Sequence, residues 1–129
     1  MATATRSAAQ TFALVFGVAY LLVGILGLIL APDSGDELFG VFRLNLLHNL
    51  AHLAIGGVLL IIGTRSHETA KRVNVSVGIF YGLLALLGIA NVLVGDLLEA
   101  NVADDFLHLS TAVLAIFFGT TGAEGRTVT

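Results

Sequence analysis

Apolar residues along this chain come in long unbroken runs rather than in alternation. Thr11 to Leu30 is 20 residues without a charge, and Val73 to Gly95 is 23. A helix of about 20 apolar residues rises about 30 Å, the thickness of a bilayer's hydrocarbon core. Two further apolar runs open with polar residues. The pattern predicts four helical spans, at about 8–31, 45–63, 73–95 and 101–122. Pro32, the only proline, stops the first span within the polar stretch "APDSGDE". A soluble bundle would show a charged stripe on each helix, and these runs have none.

Composition agrees with that pattern. Of the 129 residues 57% are hydrophobic and 12% charged, against about a quarter charged in soluble domains. The expectation is an integral membrane protein whose first partner is the lipid bilayer. The first run is too long for a signal core, and "LILAPDS" carries no A-x-A pattern, so it reads as an uncleaved span. Cysteine is absent, which removes disulfides, thiolate metal sites and cysteine nucleophiles. The net charge is −3 with no basic cluster, so nucleic acid is not an expected partner.

Charge between the spans predicts orientation. Arg6 precedes the first span, and the middle connection "GTRSHETAKRVN" carries Arg65, Glu68, Lys71 and Arg72. The first connection has Asp33, Asp36, Glu37 and Arg43, the third has Asp96, Glu99, Asp104 and Asp105, and the tail has Glu124 and Arg126. Lys and Arg in short loops mark the cytoplasmic side. The reading is a multi-pass protein of the cell membrane, with both termini and the middle connection cytoplasmic and the acidic connections outside.

The two halves look related. "GVAYLLVGILGLI" from Gly17 aligns with "GIFYGLLALLGI" from Gly78 at a register of 61, pairing Gly17/Gly78, Tyr20/Tyr81 and Gly27/Gly88. "NLLHNLAHL" from Asn45 aligns with "NVADDFLHL" from Asn101 at a register of 56, pairing Asn45/Asn101 and His52/His108. Two spans return the chain to its starting side, so repeats at about 8–63 and 73–122 would be parallel, related by an axis along the membrane normal. The expected fold class is therefore all-α: an integral membrane four-helix bundle made of two parallel two-helix repeats, one domain over 1–129. The glycines, including the GxxxG at Gly78 and Gly82, point to close helix packing and to no chemistry.

Candidate chemistry lies in the second pair of matched stretches. At about 100° per residue, Asn45, His48, Asn49 and His52 fall within a sector of about 100°. Asn101, Asp104, Asp105 and His108 repeat that sector. The two-fold sets His52 against His108, His48 against Asp104 and Asn49 against Asp105, so that three imidazoles and two carboxylates converge. Ionisable residues at membrane depth face the bundle interior or a wet cavity and stand as functional candidates.

Three readings compete. In the structural one, Asn45 and Asn101 are N-caps, Asp104 suits the positive end of its helix, and the histidines bond across the helix pair. Asn49 and Asp105 complete that polar cluster, and the protein is a structural or accessory subunit. In the cofactor reading, His48, His52, Asp104 and His108 hold a transition metal, or His52 and His108 hold a haem. A His3Asp set suits zinc, copper or iron about equally. In the third reading the cluster relays protons or a small solute, but no ionisable residue continues through the inner half of any span, and Asn74 and Asn91 are too sparse for a channel. His67 beside Glu68 reads as a solvated residue, and Tyr20 and Tyr81 as core packing. Ser110 and Thr111 follow His108 without a G-x-S-x-G elbow, and the pattern does not favour an enzyme.

"NLLHNLAHLAIGG", "NVADDFLHL" and the four-span layout resemble the prokaryotic membrane proteins grouped as domain of unknown function 4383. In that family the second span looks like Asn-x-x-His-Asn-x-x-His and the fourth like Asn-x-x-Asp-x-x-x-His. Asn45, His48, Asn49, His52, Asn101, Asp104 and His108 match as they stand. The resemblance covers most of the chain and implies a four-helix membrane protein, with no activity or cofactor to carry over. The primary reading is a membrane protein organised around a His/Asp cluster near its outer face. The alternatives are a haem- or metal-binding membrane protein and a proton or small-solute transporter. A homo-oligomer or a larger membrane complex is compatible with each.

Overall fold

Ser7 starts the first helix through a capping box. Its hydroxyl accepts from Gln10 N at 3.2 Å while the Gln10 side chain accepts from Ser7 N at 3.0 Å. The computed structural model describes residues 5–92 and 94–121. Leu93, expected within the third span, and Gly122, Glu124 and Arg126, expected at the fourth span's end and tail, lie outside the described residues. The element order is α1 (Ala8–Leu30), β1 (Asp36–Leu38), β2 (Phe42–Leu44), α2 (Leu46–Gly57) continued by a π-helical turn (Val58–Ile62), α3 (His67–Ile89), α4 (Val94–Leu98) and α5 (Val102–Thr121). The protein is thus mostly helical. Three helices, α1, α3 and α5, are long and apolar enough to cross a membrane. Leu46–Ile62 is a shorter apolar helix, about 25 Å long at 1.5 Å per residue.

The structure differs from the pattern-based expectation in three places. The polar stretch after Pro32 is followed by an antiparallel hairpin, with Asp36 opposite Leu44 and Leu38 opposite Phe42. Its turn places Phe39 (φ 57°) and Gly40 (φ 66°) in the left-handed region, the backbone that suits the twist of paired strands. Leu38 and Leu44 bury themselves against Ala31, forming a small core of their own. Next, α3 begins at His67, six residues before the expected Val73, because Ser66 caps it by accepting from Thr69 N at 3.2 Å. Hydropathy marks the apolar part of a helix, whereas a cap sets where the helix starts. Finally, α3 stops at Ile89. Asn91 adopts φ 53°, Asn91 N reaches Gly88 O at 2.9 Å, and Val92 N reaches Leu87 O at 3.0 Å, a C-terminal cap built on a left-handed residue.

The long helices pack as two close pairs. In the first, a Cβ on Gly17 would lie 2.8 Å from Leu60 N and 3.1 Å from Gly56 O. In the second, a Cβ on Gly78 would lie 3.0 Å from Ala112 O and 3.1 Å from Ile116 N. Only residues without side chains let backbones approach this closely, which is how helices associate when lipid removes the hydrophobic drive between them. Ala13, Tyr20, Leu59, Val77, Tyr81 and Ala112 join the pairs in a common core. Around the outside, Leu22, Ile25, Ile79, Leu83, Val113 and Phe117 are exposed, and such a surface suits lipid rather than water.

Candidate functional site

Asn45 and Asn101 start the two helices that carry the polar sector. Asn45 Oδ1 accepts from His48 N at 2.9 Å. Asn101 Oδ1 accepts from Asp104 N at 3.2 Å, while Asp104 Oδ2 accepts from Asn101 N at 2.9 Å. These caps satisfy backbone donors that a helix start leaves over. The amides of the same two asparagines reach across the molecule, Asn45 Nδ2 to Leu97 O at 3.0 Å and Asn101 Nδ2 to Val41 O at 2.7 Å. They tie the hairpin and the α4 segment together at the end of the bundle that carries the acidic connections.

One to two turns below these caps, α2 and α5 bring His48, His52, His108 and Asp104 together, all of them buried. Ring centroids are 4.5 Å apart for His48 and His52, 5.8 Å for His48 and His108, and 6.5 Å for His52 and His108. One nitrogen from each imidazole lies within 4.8 Å of the others. Asp104 Oδ1 stands 4.0 Å from His48 Nε2. His48 Nδ1 is 3.0 Å from Leu98 O. A carbonyl can only accept, so this nitrogen carries the proton. In the neutral ring Nε2 then presents a lone pair to the cluster.

The remaining polar atoms of the cluster are buried without a hydrogen-bond partner. They are His48 Nε2, both nitrogens of His52, His108 Nδ1 and Asp104 Oδ1. Most buried polar groups in proteins are paired, so five orphans on four neighbouring residues are unusual. Beside them lies a cavity of about 30 Å³ bounded by the three histidines, Tyr81 and Leu98, room for a water or a bare ion.

Two expected members of the cluster lie elsewhere. Asn49 is buried in the first helix pair, donating from Nδ2 to Ala31 O at 3.0 Å and packing against Gly27. Asp105 packs against Gly88 in the second pair and lines a lipid-side groove of about 490 Å³ with Ile89, Phe106 and Leu109. They do not face each other, and one carboxylate rather than two joins the imidazoles. Adjacent residues on a helix point about 100° apart, so Asp104 and Asp105 cannot share a target.

Other residues gain a place. Tyr20 and Tyr81 are core residues, but they also stack on each other at 5.1 Å and against the cluster, Tyr20 on His52 at 5.3 Å and Tyr81 on His108 at 4.9 Å. Thr111 donates to Leu107 O at 2.8 Å, so Tyr20, whose hydroxyl is 2.7 Å from it, is the donor between them. Leu98 contributes a backbone carbonyl, for which no side-chain signal exists in a sequence. His67 is half-buried on the first turn of α3, 3.9 Å from Glu68, rather than freely solvated.

Comparison with known proteins gives one match. A family model described as Domain of unknown function (DUF4383) matches residues 10–121. No curated protein and no solved structure matches the chain.

Proposed function

The chain belongs to the DUF4383 family, and from that premise we propose that it is a multi-pass membrane protein holding a transition-metal ion between its helix pairs. His48, His52 and His108 are the ligands, with Asp104 as the fourth group. The observation that carries this is the convergence of three buried imidazoles, one nitrogen from each within 4.8 Å of the others, with unpartnered nitrogens on all three rings. A purely structural cluster would pair these atoms with one another, and leaving a buried acceptor unpaired costs about 1–3 kcal/mol. A divalent cation would supply the missing partner for one nitrogen of each imidazole. The His48 bond to Leu98 O supports the same reading, since a ligating imidazole typically donates its other N–H to an acceptor that fixes the ring. A cavity of about 30 Å³ favours a bare ion over a haem.

The fold proposed with this function is a four-span bundle of two related hairpins, with α2 and its π turn as the shorter span. Contacts that recur at the 61 and 56 registers support it. Gly17 meets residues 56 and 60 as Gly78 meets 112 and 116, and Gly27 meets Asn49 as Gly88 meets Asp105. Asn45 reaches the carbonyl of residue 97 and Asn101 that of residue 41. That is one contact made twice in opposite directions, as a two-fold axis requires. Arg65, Lys71 and Arg72 near the start of α3 favour that end as cytoplasmic, with the metal cluster toward the opposite face.

Purification of the full chain in detergent after growth in metal-replete medium, followed by elemental analysis and a visible spectrum, tests the proposal. About one transition-metal ion per chain is expected, lost in His52→Ala and in His108→Ala. A wild-type protein that is folded and free of metal overturns it.

A further inference from the structure

Resting on that metal reading for its ligand but on separate contacts for its mechanism, we infer that the segment Leu97–Glu99 gates the cation's route to the three imidazoles from the acidic end, with Glu99 as the positioning residue that holds the gate shut. Of the residues lining the small cavity, only Leu98 comes from outside α2, α3 and α5. The cluster lies about one to two turns below the caps of α2 and α5, so the short way in from the acidic end passes this one residue.

Three ties hold the segment down, and each crosses to the other helix pair or its hairpin. Leu97 O accepts from Asn45 Nδ2 at 3.0 Å, and Leu98 O lies 3.0 Å from His48 Nδ1. The Glu99 carboxylate accepts from the Ser34 hydroxyl and from Gly35 N, the latter at 2.6 Å. Glu99 itself sits at φ 54°, a left-handed backbone that a side-chain-bearing residue adopts when its surroundings hold it there. Asp33, Asp36, Glu37 and Asp96 share this end of the molecule, and a field of one sign gathers cations before they bind.

The gate and the site share an atom group. Leu98 both borders the cavity and, through its carbonyl, orients His48, so opening the segment removes the barrier and loosens a ligand in one movement. The coupling is reciprocal: a cation that needs His48 oriented favours the closed segment by the same free energy.

Carbethoxylation of histidines by diethyl pyrocarbonate reads this directly. The full chain in detergent is treated with and without zinc chloride, and modification of His48, His52, His108 and His67 is followed by mass spectrometry. Without metal, Glu99→Ala is expected to raise the rates at His48 and His52 about fivefold, the scale of losing solvent-exposed hydrogen bonds. Ser34→Ala, which removes the partner and leaves Glu99 in place, is expected to raise them about twofold. His67, at the far end, keeps its rate in both variants. Zinc is expected to slow all three clustered histidines of the wild type. Equal rates in wild type and Glu99→Ala, or a parallel rise at His67, overturn the gate whether or not zinc protects. Wild-type rates indifferent to zinc overturn the metal reading and leave the gate standing.

Discussion

The α1–α2 pair and the α3–α5 pair place a polar side chain against a glycine near the same end of the molecule, and only the first closes the contact. Asn49 fits against Gly27, is fully buried, and gives its amide to Ala31 O at the end of α1. Asp105 fits against Gly88 in the same way, but a carboxylate has no proton to give to the end of α3. One of its oxygens is buried without a partner, and the groove beside it stays open to the lipid side. The covering elements differ too. Ala31 packs under the β hairpin with Leu38 and Leu44, while α3 ends in the exposed turn at Asn91. An exchange of nitrogen for oxygen, together with the hairpin cover, thus separates a sealed helix end from an open one.

The largest expected effect comes from swapping the polar groups. Asn49→Asp places a carboxylate where only a donor fits and leaves Ala31 O unpaired, and thermal unfolding in detergent should show a loss of about 1–3 kcal/mol. Asp105→Asn should run the other way, neutral or stabilising by up to about 1 kcal/mol, because its amide can donate to the end of α3. Destabilisation of equal size in both variants would break the comparison. A second contrast uses the glycines. A Cβ on Gly27 collides with the Asn49 amide, which the bond to Ala31 O holds in place, so Gly27→Ala should cost about 1–3 kcal/mol. The matching Cβ on Gly88 meets the Asp105 carboxylate, which has the groove to swing into. Gly88→Ala should therefore cost well under half as much, and the ratio is the quantity to measure.

The smallest effect concerns the tie between the two regions. The Ser34 hydroxyl, with the Gly35 amide, holds the Glu99 carboxyl below the usual carboxylate range. A depressed folded-state pKa stabilises above the ordinary carboxylate pKa, and that contribution is lost as pH falls through the lowered value. The tie should therefore persist through mild acidification and let go only in stronger acid. Carbon NMR of labelled glutamate carboxyls should find Glu99 titrating lowest, and Ser34→Ala should move its midpoint upward. An unmoved midpoint would remove Ser34 as the cause.

Much of the helical framework was legible in the chain. Long apolar runs mark α1 and α5 closely because the face a helix turns to lipid has to be apolar, and Asn45 and Asn101 show their capping role through type and position. The His48/His52 spacing puts both imidazoles on one face by helix geometry alone. Neither the hairpin nor the early start of α3 was visible to hydropathy, because a three-residue strand is too short for its alternation to register and a capped polar turn looks like a loop.

What the sequence determined by itself is therefore local: where apolar helices run, how they are capped, and which polar residues share a sector of each. The tertiary structure decided where those sectors point. It turned Asp104 onto His48 and Asp105 into an outer groove, buried Asn49 in the first helix pair, and supplied a backbone carbonyl at Leu98 to orient an imidazole. The physical reason is that periodicity fixes angles within one helix, whereas a contact depends on the neighbour packed against it. Every residue carries a carbonyl, so no side-chain pattern can say which one a histidine will find.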